Sequence, residues 1–189
     1  MKILCAEYNA EGEVAVIPAG DDVLLRNNGD FYIPDYSSRV SCVPQLVVRV
    51  CKLGKCVGER FAGRYFEEIG VGIRFYADDQ EEELRTKALP EVVASTFDCS
   101  AAISSLMPMG KETEWKYDFR VNDQRIHQGE AGCLPLNIGQ LLALASEYHT
   151  LKIGDFLFCG NLFRYRGLKI GDRLRLSLNG KELLDFKIR

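Results

Sequence analysis

The clearest hydrophobic signal in the chain is a β-branched run from Gln45 to Cys51, with Leu46, Val47, Val48 and Val50 inside it. It is long enough for a largely buried strand, and Lys52-Leu53-Gly54-Lys55 supplies the turn that ends it. Near the C-terminus, Leu174, Leu176 and Leu178 alternate with polar residues at the period of a half-buried strand. Asn179-Gly180 then predicts a type I′ hairpin turn into Leu184-Asp185-Phe186-Lys187-Ile188. Helical spacing appears in Ile138, Leu141, Leu142 and Ala145, behind a capping box of Asn137 and Gln140. A second box, Asp78 with Glu81, precedes the i,i+4 pairs Glu81/Arg85 and Glu83/Lys87. A third helix is expected over Phe61 to Glu68.

Residues 1–30 read as short strands and turns, with Asn27-Asn28-Gly29-Asp30 as the strongest turn signal. Phe31-Tyr32-Ile33 runs into Pro34, which suits a strand edge. Leu151-Lys152-Ile153-Gly154-Asp155 recurs as Leu168-Lys169-Ile170-Gly171-Asp172, which predicts two similar turns entering strands. No low-complexity linker divides the chain. The expectation is therefore one domain over 1–189, mixed α/β but strand-dominated, with a few covering helices.

Composition narrows the function. At 47% hydrophobic and 27% charged the chain is globular. Net charge is −3 with the cations dispersed, which gives no electrostatic reason to expect nucleic acid or an anionic membrane as partner. The N-terminal apolar stretch breaks at Glu7, and no segment approaches the length of a membrane span. The seven cysteines are odd in number and scattered, and Cys51 with Cys56 lacks a second pair or a nearby His for a zinc site. They read as reduced, mostly buried thiols of a cytoplasmic protein.

Several segments, in order, carry a resemblance: Leu24-Leu25-Arg26-Asn27-Asn28 leading to Phe31-Tyr32-Ile33-Pro34-Asp35, then Arg64 to Ile73, Phe97-Asp98, Val121-Asn122 to Gln128-Gly129, and Leu151 to Asp155. Together they resemble the small members of the fumarylacetoacetate hydrolase family. That resemblance implies a mixed β-roll, a homodimer, and a Mg²⁺ or Mn²⁺ ion used to hydrolyse, isomerise or decarboxylate small oxo or β-diketo acids. A hard cation on the keto and carboxylate oxygens would stabilise enolate charge.

The implied ligand set is missing. The family's Glu-x-Glu falls on Val43-Pro44-Gln45 and its Asp on Arg74. A Lys falls on Ser95, and the Thr-Gly-Thr-Pro turn falls on Cys159-Gly160-Asn161-Leu162, where Gly160 alone matches. The lid segment that would carry a His is shortened after Asn9-Ala10, and neither His127 nor His149 matches it. The expectation is a pseudoenzyme of this family with no metal cofactor, acting as a small-anion binder or an accessory subunit. It would be a homodimer or pair with an active paralogue, and its ligand would be an oxo acid or dicarboxylate. The alternative is an oxo-acid hydrolase, isomerase or decarboxylase that retains activity.

The candidate ligand-binding residues are Gln45, Arg74, Ser95 and Asn161. Arg74 suits bidentate carboxylate recognition, or else pairs with Asp78 or Glu91. Gln45 either binds the same ligand or is a satisfied structural amide. Ser95, Asp98 and Cys99 lie close in sequence, but no His is placed to activate them. The acids from Asp78 to Glu83 read as a solvated helix start, and Arg164-Tyr165-Arg166 as either a basic lip or a surface loop.

Overall fold

The computed structural model describes residues 1–110 and 114–189. Two long strands form its spine, β4 (Val40–Val50) and β5 (Phe66–Ala77), paired antiparallel from Val40 opposite Ala77 to Val50 opposite Phe66. Beside β4 lie β10 (Phe156–Phe158), β1 (Ile3–Tyr8) and β2 (Val14–Ala19); beside β5 lie β6 (Ala101–Ile103) and β3 (Leu24–Leu25). Two short strands complete this mixed sheet, β7 (Met107–Pro108) on β5 and β11 (Tyr165–Arg166) on β4. β4 is buried along nearly its whole length because both faces are covered. Leu46, Val48 and Val50 face the main core, while Val47 joins Ile3, Cys5, Ile103 and Phe158 on the other side.

A second, antiparallel sheet has the order β13 (Lys181–Lys187), β12 (Arg173–Leu178), β8 (Lys116–Val121), β9 (Gln124–Glu130). The period-two leucines of β12 are fully buried, together with Tyr117, Phe119 and Val121 of β8. Its two hairpin turns have both central residues at positive φ, Asn122 and Asp123 in one, Asn179 and Gly180 in the other, as a type I′ turn requires. The architecture is strand-dominated, as the sequence pattern predicts.

The two Leu-Lys-Ile-Gly-Asp segments adopt the same turn. In each, the Asp carboxylate accepts from the Lys backbone N–H at 2.8 Å, and the Gly takes positive φ. They lead into β10 and β12 respectively.

Helix α3 (Ile138–Tyr148) starts at the expected capping box, with both reciprocal hydrogen bonds at 3.0 Å. Two helical expectations need correction. Helix α1 is one turn, Glu59–Ala62, and from Phe66 onward the chain is strand. Pairing with β4 overrides the local helical spacing there. Helix α2 (Asp78–Thr86) forms where predicted, but its N-cap is Ala77 and no side-chain cap is made. The Asp78 carboxylate is drawn instead to Ser41 and Arg164. The pairs Glu81/Arg85 and Glu83/Lys87 do form.

Candidate functional site

The β4–β5 register brings together Val43, Gln45 and Arg74, the three positions on which the sequence resemblance puts ligand carboxylates. Val43 is the cross-strand partner of Arg74, and Gln45 lies opposite Gly72. Alternation along β4 puts Val43 and Gln45 on one face. Beside them opens a cleft of about 700 Å³, formed by β1, β4, β5, the turn before β6 and the loop from Asn161 to Arg166. Glu7, Val43, Tyr76, Ser95, Asn161 and Arg164 line it.

Arg74 lies beneath this cleft rather than in it, at 1% exposure. One guanidinium nitrogen, Nη2, donates to the Ser95 carbonyl at 2.5 Å; Nη1 lies 3.6 Å from Glu7 Oε1. Nε and Nη1 have no hydrogen-bond partner among the described residues. Burial works against the Arg74 charge, but Cys5, Tyr76 and Glu7 around it hold its pKa above the usual arginine range. The expected pairing of Arg74 with Asp78 or Glu91 does not occur: Asp78 binds Arg164, and Glu91 binds Arg85.

Glu7 is the residue that balances the guanidinium, and sequence reasoning missed it in that role. It stands at the end of the apolar stretch of β1, where a lone carboxylate was the available signal. Its side chain is 27% exposed, toward the cleft. Tyr76 Oη donates to its carboxylate, 2.9 and 2.8 Å from the two oxygens. Burial raises the Glu7 pKa, against the opposing pull of Arg74 and the Tyr76 hydrogen bond. Burial also lifts the neighbouring Cys5 thiol to about 11, so it stays protonated.

The other candidates separate. Gln45 is 1% exposed, its Oε1 accepts from the Gly160 N–H at 2.5 Å, and it does not line the cleft. Gly160 itself sits at positive φ against the Ala6 carbonyl, where a Cβ would come within 2.5 Å. Asn161 lines the cleft, but its amide nitrogen faces Pro44 O, Tyr117 Oη and His127 Nε2, and its oxygen accepts from Phe163 N. It builds the wall. Ser95 donates its hydroxyl to Val92 O at 3.1 Å, and neither Asp98 nor Cys99 lines the cleft.

The Arg164 segment is more than a surface loop. Arg164 bridges Asp78 and Glu81, accepted also by Ser41 Oγ at 2.6 Å, with its guanidinium 4.2 Å over the Tyr76 ring. The acidic start of α2 is thus partly neutralised at the cleft mouth. Arg166 also lines the cleft, is exposed, and has no ion pair among the described residues.

These residues do not fit a divalent cation. Val43 has no ligand atom, the Gln45 oxygen is already taken, and Arg74 places a positive charge at the third position. No group of three or more His, Cys, Asp or Glu able to hold a metal comes together among the described residues.

No protein-family model matches the sequence. Curated relatives do. The chain is 24% identical over 177 residues to the mitochondrial oxaloacetate tautomerase FAHD1 of Bos taurus, covering 92% of this chain and 76% of the relative. It is 23% identical over 163 residues to the mitochondrial oxaloacetate decarboxylase of Dictyostelium discoideum, covering 83% and 73%. Among solved structures, a protein of Yersinia pestis CO92 assigned to the fumarylacetoacetate hydrolase family superposes with a TM-score of 0.89 at 22% identity, over 100% of this chain and 92% of that one. The fumarylpyruvate hydrolase of Pseudomonas aeruginosa, in complex with Mn²⁺ and pyruvate, gives 0.89 at 16% identity, over 100% and 89%. With sequence likeness along most of its length and a shared fold along all of it, the chain is similar in sequence to oxaloacetate tautomerases and decarboxylases and has the fold of fumarylacetoacetate hydrolase family proteins.

Proposed function

We propose that this chain is a family member without metal-dependent catalysis, its cleft kept for binding a small organic anion. It would work as a homodimer or as an accessory subunit beside an active paralogue, in the cytoplasm. One observation carries the reading. The guanidinium of Arg74, at the position where the sequence resemblance implies a ligand carboxylate, is buried and charge-balanced by Glu7. A fixed positive charge there repels a divalent ion, and it is committed to the Ser95 carbonyl rather than aimed at a substrate oxygen. Arg166, which lines the cleft and has no ion pair among the described residues, is the group offered to a carboxylate. All seven cysteines are free, which suits a reducing compartment.

The relatives name the assay. Oxaloacetate and pyruvate, each with and without Mn²⁺, are offered to the full chain while turnover and melting temperature are followed. The anions should raise the melting temperature, because a ligand bound only by the folded state stabilises it. Mn²⁺ should change neither readout, and Arg166→Ala should remove the anion effect. Mn²⁺-dependent oxaloacetate turnover by the unaltered chain would overturn the reading.

A second reading, a metal-free hydrolase or isomerase of small oxo acids, is favoured by Glu7. A carboxyl group with a raised pKa facing a cleft has the properties of a general base. In the same assay that reading requires turnover that is indifferent to Mn²⁺ and lost in Glu7→Gln.

A further inference from the structure

Away from the cleft, the turn after β4 and helix α1 enclose a second concavity of about 500 Å³. Lys52, Lys55, Arg60 and Arg64 all line it. None of the four has an ion pair among the described residues, whereas Arg49, Arg120, Arg125, Arg164, Arg173 and Arg175 each have one. In a chain of net charge −3, four unpaired cations around one hollow are a local reversal of sign.

The frame that presents them is rigid. Cys51 N–H bonds to Tyr65 O at 2.8 Å, Gly54 exchanges hydrogen bonds with Leu151, and Cys56 N–H bonds to Ser146 O at 2.9 Å. Val57 N–H is taken by Ser146 Oγ at 2.7 Å. Gly54 has no room for a side chain, since a Cβ would lie 2.5 Å from the Tyr65 ring. Cys56, a non-glycine residue, is held at φ 51°, a conformation that persists only where its surroundings over-determine it. Phe61, 40% exposed, carries the Arg60 guanidinium 4.5 Å and the Arg64 guanidinium 5.4 Å from its ring centroid. Lys55 Nζ is tied to the Glu147 carbonyl at 2.9 Å. Cations fixed in advance lose less side-chain entropy on binding than free ones.

We infer that this concavity is a binding site for a di- or triphosphate group. Two guanidinium forks and two ammonium groups on one rigid rim match several adjacent anionic oxygens. Because both arginines already cover the Phe61 ring, recognition rests on the phosphates and not on a stacked base.

Titration calorimetry of the full chain with sodium tripolyphosphate at low salt tests this. The expected result is saturable one-to-one binding that weakens as NaCl rises. ATP should bind like tripolyphosphate, and adenosine should not bind. The double variant Arg60→Ala/Arg64→Ala should weaken binding by about tenfold or more. Both side chains are exposed, so the variant should fold, which circular dichroism would check. Lys181→Ala, at an exposed lysine on β13, should have no effect. The inference fails if tripolyphosphate shows no saturable binding, if the double variant binds equally well, or if Lys181→Ala weakens binding as much. It also fails if adenosine binds alone, or if a polyglutamate peptide binds more tightly than tripolyphosphate, which would make the patch a docking face for acidic protein.

Discussion

Arg74 places one guanidinium beneath the cleft. It is buried against Glu7 and the Ser95 carbonyl, and two of its nitrogens lack hydrogen-bond partners among the described residues. A buried charge so incompletely satisfied is costly, and removing its partner or the charge itself redistributes that cost. Arg74→Ala should lower stability by about 3 kcal/mol, because it opens a cavity and leaves Glu7 without its opposing charge. Urea denaturation measures this directly, and a change under about 0.5 kcal/mol, the range of ordinary surface substitutions, would contradict the packing described for this residue. Arg74 was singled out from its place in the sequence, and the structure buries it. Glu7 was not, because nothing local marks which carboxylate folds against it.

Helix α2 shows the same logic one level up. Its first residues carry several carboxylates, and the fold spends them on tertiary bonds instead of on its own cap. Asp78 goes to Ser41 and Arg164, while Asp79 accepts from Ser37 Oγ at 2.6 Å and from Ser38 N at 2.7 Å. Partial burial pushes the Asp79 pKa up, but the hydrogen bonds from Ser37, Ser38 and Gln80 win and hold it down at about 2. A folded pKa below the unfolded value of about 3.9 adds stability that is fully present above that value. It is lost as pH falls toward 2. Asp79→Asn should therefore cost about 2 kcal/mol at neutral pH, and the gap between variant and wild type should close as the pH drops from about 4 to 2. Parallel urea melts across that range would show it, and a gap independent of pH would contradict the assignment.

For the molecule as a whole, the β4–β5 pair is the frame on which both sides of the domain are built. Its two faces feed two cores, and the second sheet closes over the larger one. No helix among the described residues is long and apolar enough to cross a membrane. The proposed homodimer belongs to this scale. Light scattering at micromolar concentration should give twice the chain mass of 21.3 kDa, and a monomer mass would count against it. The same measurement with EDTA or MgCl₂ should be unchanged, since no cation is proposed to hold the assembly or the cleft.

The features that the sequence determined by itself are those whose causes lie within a few residues. The Asn137–Gln140 box, the Asn179-Gly180 turn, the paired Leu-Lys-Ile-Gly-Asp turns and the alternation of β12 each depend on neighbours along the chain, and each is found where predicted. Local spacing failed where a distant strand competed for the same residues: Phe61 to Glu68 has one helical turn and then pairs with β4. The cleft's electrostatics were likewise decided only in three dimensions. Tyr76 reaches Glu7 across 69 positions and Arg164 reaches Asp78 across 86, so no window of sequence contains both partners. Charge pairing acts over ångströms in space and is blind to separation along the chain, which is why the tertiary structure alone could say which acid balances which base.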